Sequence, residues 1–252
     1  MKQNVGWHIK RGNIIVTGGL ITIMALFAYV NVWKNAIYMN KSGCVSLCVA
    51  DFIVKNSSMF NSNILLFAVI LADVMINSKN DFRYSNLIMN GSRIKILNRQ
   101  TTKIVCHAVI YGLVYVFCTI IFSLNYTSTL INWDKEISYF AYVNKMIKDI
   151  SYTKIMLFFI AGSILFIITV EIIYLGFFWL IQKEAFVWII LFAVRFADRR
   201  YLNGILSMDL SYENILKELM QQQFLISVAV IILVYLIDRL LAERREFYFE
   251  RK

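Results

Sequence analysis

Continuous apolar runs alternate with short basic stretches along this chain. About 20 predominantly apolar residues carry a helix across the hydrocarbon core of a bilayer. Residues 13–33 reach that length without a Lys, Arg, Asp or Glu, as do residues 104–124. Residues 155–181 form a longer run interrupted only by Glu171. Residues 62–77 are shorter and contain Asp73, so a span of usable length runs over about 57–77. Residues 185–197 are short and contain Arg195, and a last span covers about 222–241. The pattern predicts an all-α, polytopic membrane protein with six spans in one transmembrane domain, residues 1–252. A membrane barrel would need strands alternating with period two, which these runs lack. The first run is too long for the apolar core of a cleavable leader, and no small-residue cleavage site follows it.

Three segments between the runs keep apolar side chains among polar ones. Residues 1–12 mix Trp7 and Ile9 with Lys2, Lys10 and Arg11, which suits a helix lying in the headgroup layer. Residues 77–103 hold Phe82, Leu87, Ile88, Met89, Ile94, Ile96 and Leu97 among six basic residues. Two readings fit them: a short amphipathic helix for a membrane surface or a partner's groove, and a solvated basic loop that sets topology. In residues 198–223, Ile205, Leu206, Leu210, Ile215, Leu216, Leu219 and Met220 recur at helical spacing. Asp209 or Ser211 stands where it can cap a short helix with Glu213 in its first turn. A hairpin dipping back into the outer leaflet and an external loop with one surface helix both fit that pattern.

Composition narrows the class. The chain of 252 residues is 59% hydrophobic and 17% charged, with a mean hydropathy of +0.62 and no proline. Soluble domains average about 45–50% apolar and about 25% charged residues. The net charge of +10 does not indicate a nucleic-acid binder, because too little polar sequence remains to build a basic surface. It sets orientation instead. Residues 1–12, 78–103, 182–184 and 239–252 carry 15 Lys and Arg among 55 residues, whereas 34–61, 125–154 and 198–223 carry 10 among 84. The denser set belongs on the cytoplasmic side, with both termini.

Little in the sequence points to an enzyme. Walker, nucleophile-elbow and His-Glu-x-x-His patterns are all absent, and the two histidines, His8 and His107, fall in different compartments. No metal site is expected, and His107 reads as a packed residue at a helix interface. Cys106 and Cys118 share one helix and read as apolar packers. Cys44 and Cys48, on the external side, either pair as a disulfide or stay as two thiols. Glu171 and Arg195 are the charges deepest within spans, where ionisable groups are costly and often functional. They would offset each other as a pair, or Glu171 would face a pathway or a subunit interface.

The layout and the loop together resemble the permease subunit of a bacterial ABC-2 type exporter. Within the loop the resemblance rests on Arg83, on the turn Gly91-Ser92-Arg93, and on Lys103 entering the third span, with Asn90 where proline is often found. It implies an interfacial N-terminal helix, six spans, a cytoplasmic coupling helix between spans two and three, and re-entrant helices before span six. It implies coupling to an ABC ATPase through Phe82, Arg83, Asn86, Leu87 and Arg93. It also implies a dimer with a second copy or a related permease, in contact with lipid of the bacterial cytoplasmic membrane. No cofactor is expected on this chain; ATP and Mg belong to the partner ATPase. The exported substrate is expected to be amphipathic, with antimicrobial peptides of the lantibiotic type as one class. The alternative is a non-transporting membrane immunity or assembly factor that binds a peptide or a membrane partner.

Overall fold

A helix that is apolar around its whole circumference must be covered on every side. Tyr152–Ile181 is such a helix, and it forms the axis of the fold. The structure is a computed structural model that describes residues 11–41, 43, 45–81, 92–181, 183–201 and 210–244. Among these the helices are α1 (Arg11–Asn40), α2 (Val49–Ser62), α3 (Ile64–Asp81), α4 (Arg93–Ser123), α5 (Tyr139–Asn144), α6 (Tyr152–Ile181), α7 (Glu184–Tyr201), α8 (Tyr212–Leu216) and α9 (Met220–Arg244). The described residues contain no strand, only an isolated bridge between Ser46 and Ser138. Helix α6 packs against α2, α3, α4, α7 and α9, and α1 packs on the outer side of α4.

Four of these helices are long and apolar enough to cross a membrane: Thr17–Asn40 within α1, α4, α6, and Met220–Glu243 within α9. They correspond to the spans expected at 13–33, 104–124, 155–181 and 222–241. The other two expected spans take a different form. The apolar part of α3, Ile64–Ser78, is shorter than a full span. Helix α7 covers 185–197 but is amphipathic and falls outside the group of four.

The second expected span, 57–77, is broken at Asn63. The Asn63 side chain accepts hydrogen bonds from the backbone N–H groups of Leu65 (2.9 Å) and Leu66 (3.3 Å). That capping starts a new helix, so α2 and α3 are two pieces. The third helix departs from expectation in the opposite sense. It begins at Arg93 rather than 104, so the stretch after Ser92 extends the span instead of forming a loop.

Polar side chains bind α1, α2 and α4 inside the bundle. Asn31 donates to the Tyr115 hydroxyl (3.0 Å), which donates to the backbone carbonyl of Asn56 (3.2 Å). Asn35 donates to Asn56 Oδ1 (2.6 Å), and Asn56 Nδ2 donates to Thr119 (3.2 Å). The spacing of four residues puts Asn31 with Asn35, and Tyr115 with Thr119, on single helix faces. Backbones come close at Gly112, where a Cβ would lie 2.8 Å from Ile164 Cγ1 and 3.3 Å from its backbone nitrogen.

One end of the bundle is closed by a cap centred on Asp51 in the first turn of α2. Its carboxylate accepts from Trp133 Nε1 (2.9 Å), the Tyr212 hydroxyl (2.9 Å), Cys48 N (3.0 Å) and the Cys48 thiol (3.2 Å). Val49 N and Ala50 N, which have no partner inside α2, donate to the carbonyls of Thr129 and Leu130. Trp133 stacks on Phe140 at 4.5 Å and meets Tyr212 edge-on at 5.7 Å. Trp133 is fully buried in protein. The Lys55 ammonium lies 5.6–5.9 Å from the ring centres of Tyr38, Tyr139 and Tyr212. As expected, Ser211 caps the short helix α8, accepting from Asn214 N at 3.2 Å. Residues 1–10 and 202–209, on which the interfacial helix and part of the re-entrant hairpin were expected, lie outside the described residues.

Burial pushes the Asp51 carboxyl above its ordinary value of 3.8, against the lowering effect of its four donors. The folded state therefore holds this proton more tightly than the unfolded chain, and its contribution to stability is lost as pH rises above the ordinary carboxylate range. We predict that the unfolding temperature, followed by Trp fluorescence from about pH 4 to about pH 8, falls with pH more steeply in the natural chain than in Asp51→Asn. The variant should also lose about 1–3 kcal/mol at the acid end, because an amide cannot accept from all four donors. Equal slopes would show that Asp51 is not the group responsible.

Candidate functional site

Spacing within three helices brings polar side chains together at the end of the bundle opposite the cap. Asp73 and Asn77 are one turn apart on α3, so they share a face. Gln100, Lys103, His107 and Tyr111 follow at intervals of three and four on α4 and share another. These faces meet. His107 Nδ1 lies 2.8 Å from Asp73 Oδ2, while Tyr111 Oη donates to Asp73 Oδ1 at 3.2 Å. Asn77 Nδ2 donates to the same oxygen and to the Asp73 backbone carbonyl, both at 3.0 Å. Three groups thus converge on one carboxylate that is 1% exposed.

Helix α6 adds a second acid. Glu171 is also 1% exposed, and neither of its carboxylate oxygens has a hydrogen-bond partner among the described residues. It lines a narrow cleft together with Asp73, Asn77, Gln100, Lys103 and His107. Trp179 Nε1 donates to Gln100 Oε1 at 3.3 Å, fixing one wall. A turn beyond Glu171, the carboxylate of Asp238 from α9 lies directly against Gly176, in the space a Cβ would occupy. Among the described residues no group of three or more His, Cys, Asp or Glu is placed to hold a metal ion.

The expected pair of Glu171 with Arg195 is not formed. Arg195 Nη1 lies 3.8 Å from Asp198 Oδ2, and its guanidinium sits over Phe166 at 4.9 Å and Phe67 at 5.8 Å. The reason is the helical period. Phe166, Thr169, Val170 and Ile173 form the face of α6 that lines a second cavity with Arg195 and Asp198. Glu171 and Leu175 project toward α3 and α4 instead. Reading charge against charge along the sequence missed this, because Arg195 has an acid of its own three residues on.

No family model matches this chain, nor does any curated protein or solved structure. The site therefore rests on its own geometry. Of the residues expected to engage an ATPase, Phe82, Arg83, Asn86 and Leu87 lie outside the described residues, and Arg93 opens α4 directly after Ser92. Cys44 also lies outside them, while Cys48 is a buried free thiol.

The sequence held a signal for this cluster: Asp73 and His107 lie at corresponding depths of consecutive, oppositely directed spans, each with a polar neighbour four residues on. We predict that Asp73→Ala destabilises the detergent-solubilised protein more than His107→Ala does. The first change strands several donors at about 1–3 kcal/mol each, whereas the second leaves Asp73 two side-chain donors. A double-mutant cycle should give coupling of about 0.5–3 kcal/mol, and strict additivity would mean that the contact carries no energy.

Proposed function

We propose that this chain is the membrane-spanning permease subunit of an ATP-driven exporter of the ABC-2 type. One observation carries the reading: the helices on either side of residues 82–92, α3 and α4, hold the bonded pair Asp73 and His107 between them. A partner that grips this segment and pushes on it acts on both halves of a buried polar site at once. Such a connection is what an equilibrium driven from outside the membrane requires. The cleft with Glu171 lies at the same end as that segment, and the denser positive charge near this end supports a cytoplasmic position for it.

The chain contributes no nucleotide site. A separate ABC ATPase, holding ATP and Mg, docks on residues 82–98 through Phe82, Arg83, Asn86, Leu87 and Arg93. Large side chains, among them Tyr115, Phe159 and Phe166, pack the centre of the single bundle. The substrate path therefore runs between two permeases, this chain and a second copy or a related subunit. The outward faces of α1 and α9 expose Leu26, Trp33, Leu225, Leu233 and Leu236, and lipid or the second permease covers them. The substrate is amphipathic, with antimicrobial peptides the leading class, and the setting is a bacterial cytoplasmic membrane with both termini inside.

A second reading, a non-transporting immunity or assembly factor, is favoured by the exposed apolar residues Ile137, Val143, Met146 and Ile147 on the capped end. They form a surface on which a peptide could be captured without transport. The two readings differ in what they need. Under the export reading, an ATPase co-purifies with the chain from its native membrane, and substitution of Arg83 or Arg93 lowers both its retention and export. Full function with no ATPase bound, or export indifferent to both arginines, would favour the capture reading.

A further inference from the structure

Glu171 is a buried acid of the bundle to which no described residue donates a hydrogen bond. Asp73, of the same burial, is met by His107, Asn77 and Tyr111. Glu171 has two oxygens without a donor, although it lines a cleft containing Lys103 and His107. A buried carboxylate without a hydrogen-bond donor is strongly unfavourable. The site needs a positive guest. A metal ion is a poor candidate, since no metal-ligand grouping exists among the described residues. The smallest positive guest is a proton.

We propose that Glu171 is a proton-binding site beside the bonded pair Asp73 and His107, loaded from the cleft between α3, α4 and α6. The step is proton exchange alone. A hydronium ion in the cleft gives its proton to a Glu171 oxygen and becomes water, and one O–H bond forms as another breaks. The charged and titratable groups around Glu171 come from several elements. Helix α3 brings Asp73, while α4 brings Lys103, His107 and Tyr111. Helix α9 turns Asp238 toward α6 at Gly176. Arg195 and Asp198 of α7 lie around the second cavity, and the charges of α2, Asp51 and Lys55, belong to the cap. Loss of the proton adds a negative charge to a cleft that Asp73, Lys103 and His107 also line, which changes the electrostatic balance among α3, α4 and α6. The inference is independent of the export reading, because proton binding is measurable on the chain alone.

Infrared spectroscopy of the full chain in lipid nanodiscs tests it. The expected result is a protonated-carboxyl C=O band that weakens as pH rises and shifts in D2O. One component of that band should be lost in Glu171→Gln, kept in Glu171→Asp, and moved along the pH axis in Asp73→Asn. The proposal is overturned if Glu171→Gln matches the natural chain at every pH, if the Glu171 component does not titrate, or if Asp73→Asn leaves its midpoint in place. Should Glu171→Gln fail to fold, unaltered membranes treated with a lipid-soluble carbodiimide, which attacks the protonated carboxyl, give a second measurement. A Glu171 adduct located by peptide mass, falling about tenfold per pH unit above its midpoint, is expected. A constant yield, or no adduct at Glu171, overturns the proposal.

Discussion

The whole arrangement depends on the burial of α6. A helix with apolar residues on every side gains most when surrounded, and five others are drawn around it. Once they are there, the polar groups they carry lose access to water. In lipid or in a packed core those groups must find partners inside the protein. The three polar systems of this chain are solutions to that problem. The network of Asn31, Asn35, Asn56, Tyr115 and Thr119 joins α1, α2 and α4 in mid-bundle. The Asp51 cap closes one end, and the Asp73 cluster lies toward the other. Glu171, carried by α6 itself, is the member of this set for which the neighbours supply no donor.

The two acid-centred sites show how environment divides roles between like residues. Asp51 collects donors from the segment before α2, from the long link between α4 and α6, and from α8. It works as a knot that fixes three parts of the chain far apart in sequence. Asp73 collects donors from two neighbouring helices and faces a cleft. Its partners include an imidazole, and a second carboxyl lines the same cleft. The first environment suits a fixed joint. The second suits a place where charge changes.

The sequence was legible where a single rule dominates. Length and hydropathy located α1, α4, α6 and α9, since a long apolar run has few other stable forms. The Ser211 cap was legible because capping is local. The broken span was not, because Asn63 interrupts an otherwise acceptable helical pattern and only its own side chain makes the break. The site was half legible. Glu171 and Arg195 attract notice as charges within spans, but their partners depend on helix rotation, which a linear pattern does not report. Asp73 and His107 each look unremarkable alone and gain meaning only from the pairing of α3 with α4.

The break at Asn63 also changes what this segment is mechanically. A continuous helix transmits a push along its length as a rod does. Here the upper piece, α2, is anchored in the cap through Asp51, and the lower piece, α3, carries Asp73. Each piece has its own packing against α6 and its own backbone hydrogen bonds, so each can open as a separate cooperative unit. The joint therefore acts as a clutch: one end of the bundle can loosen while the other stays locked.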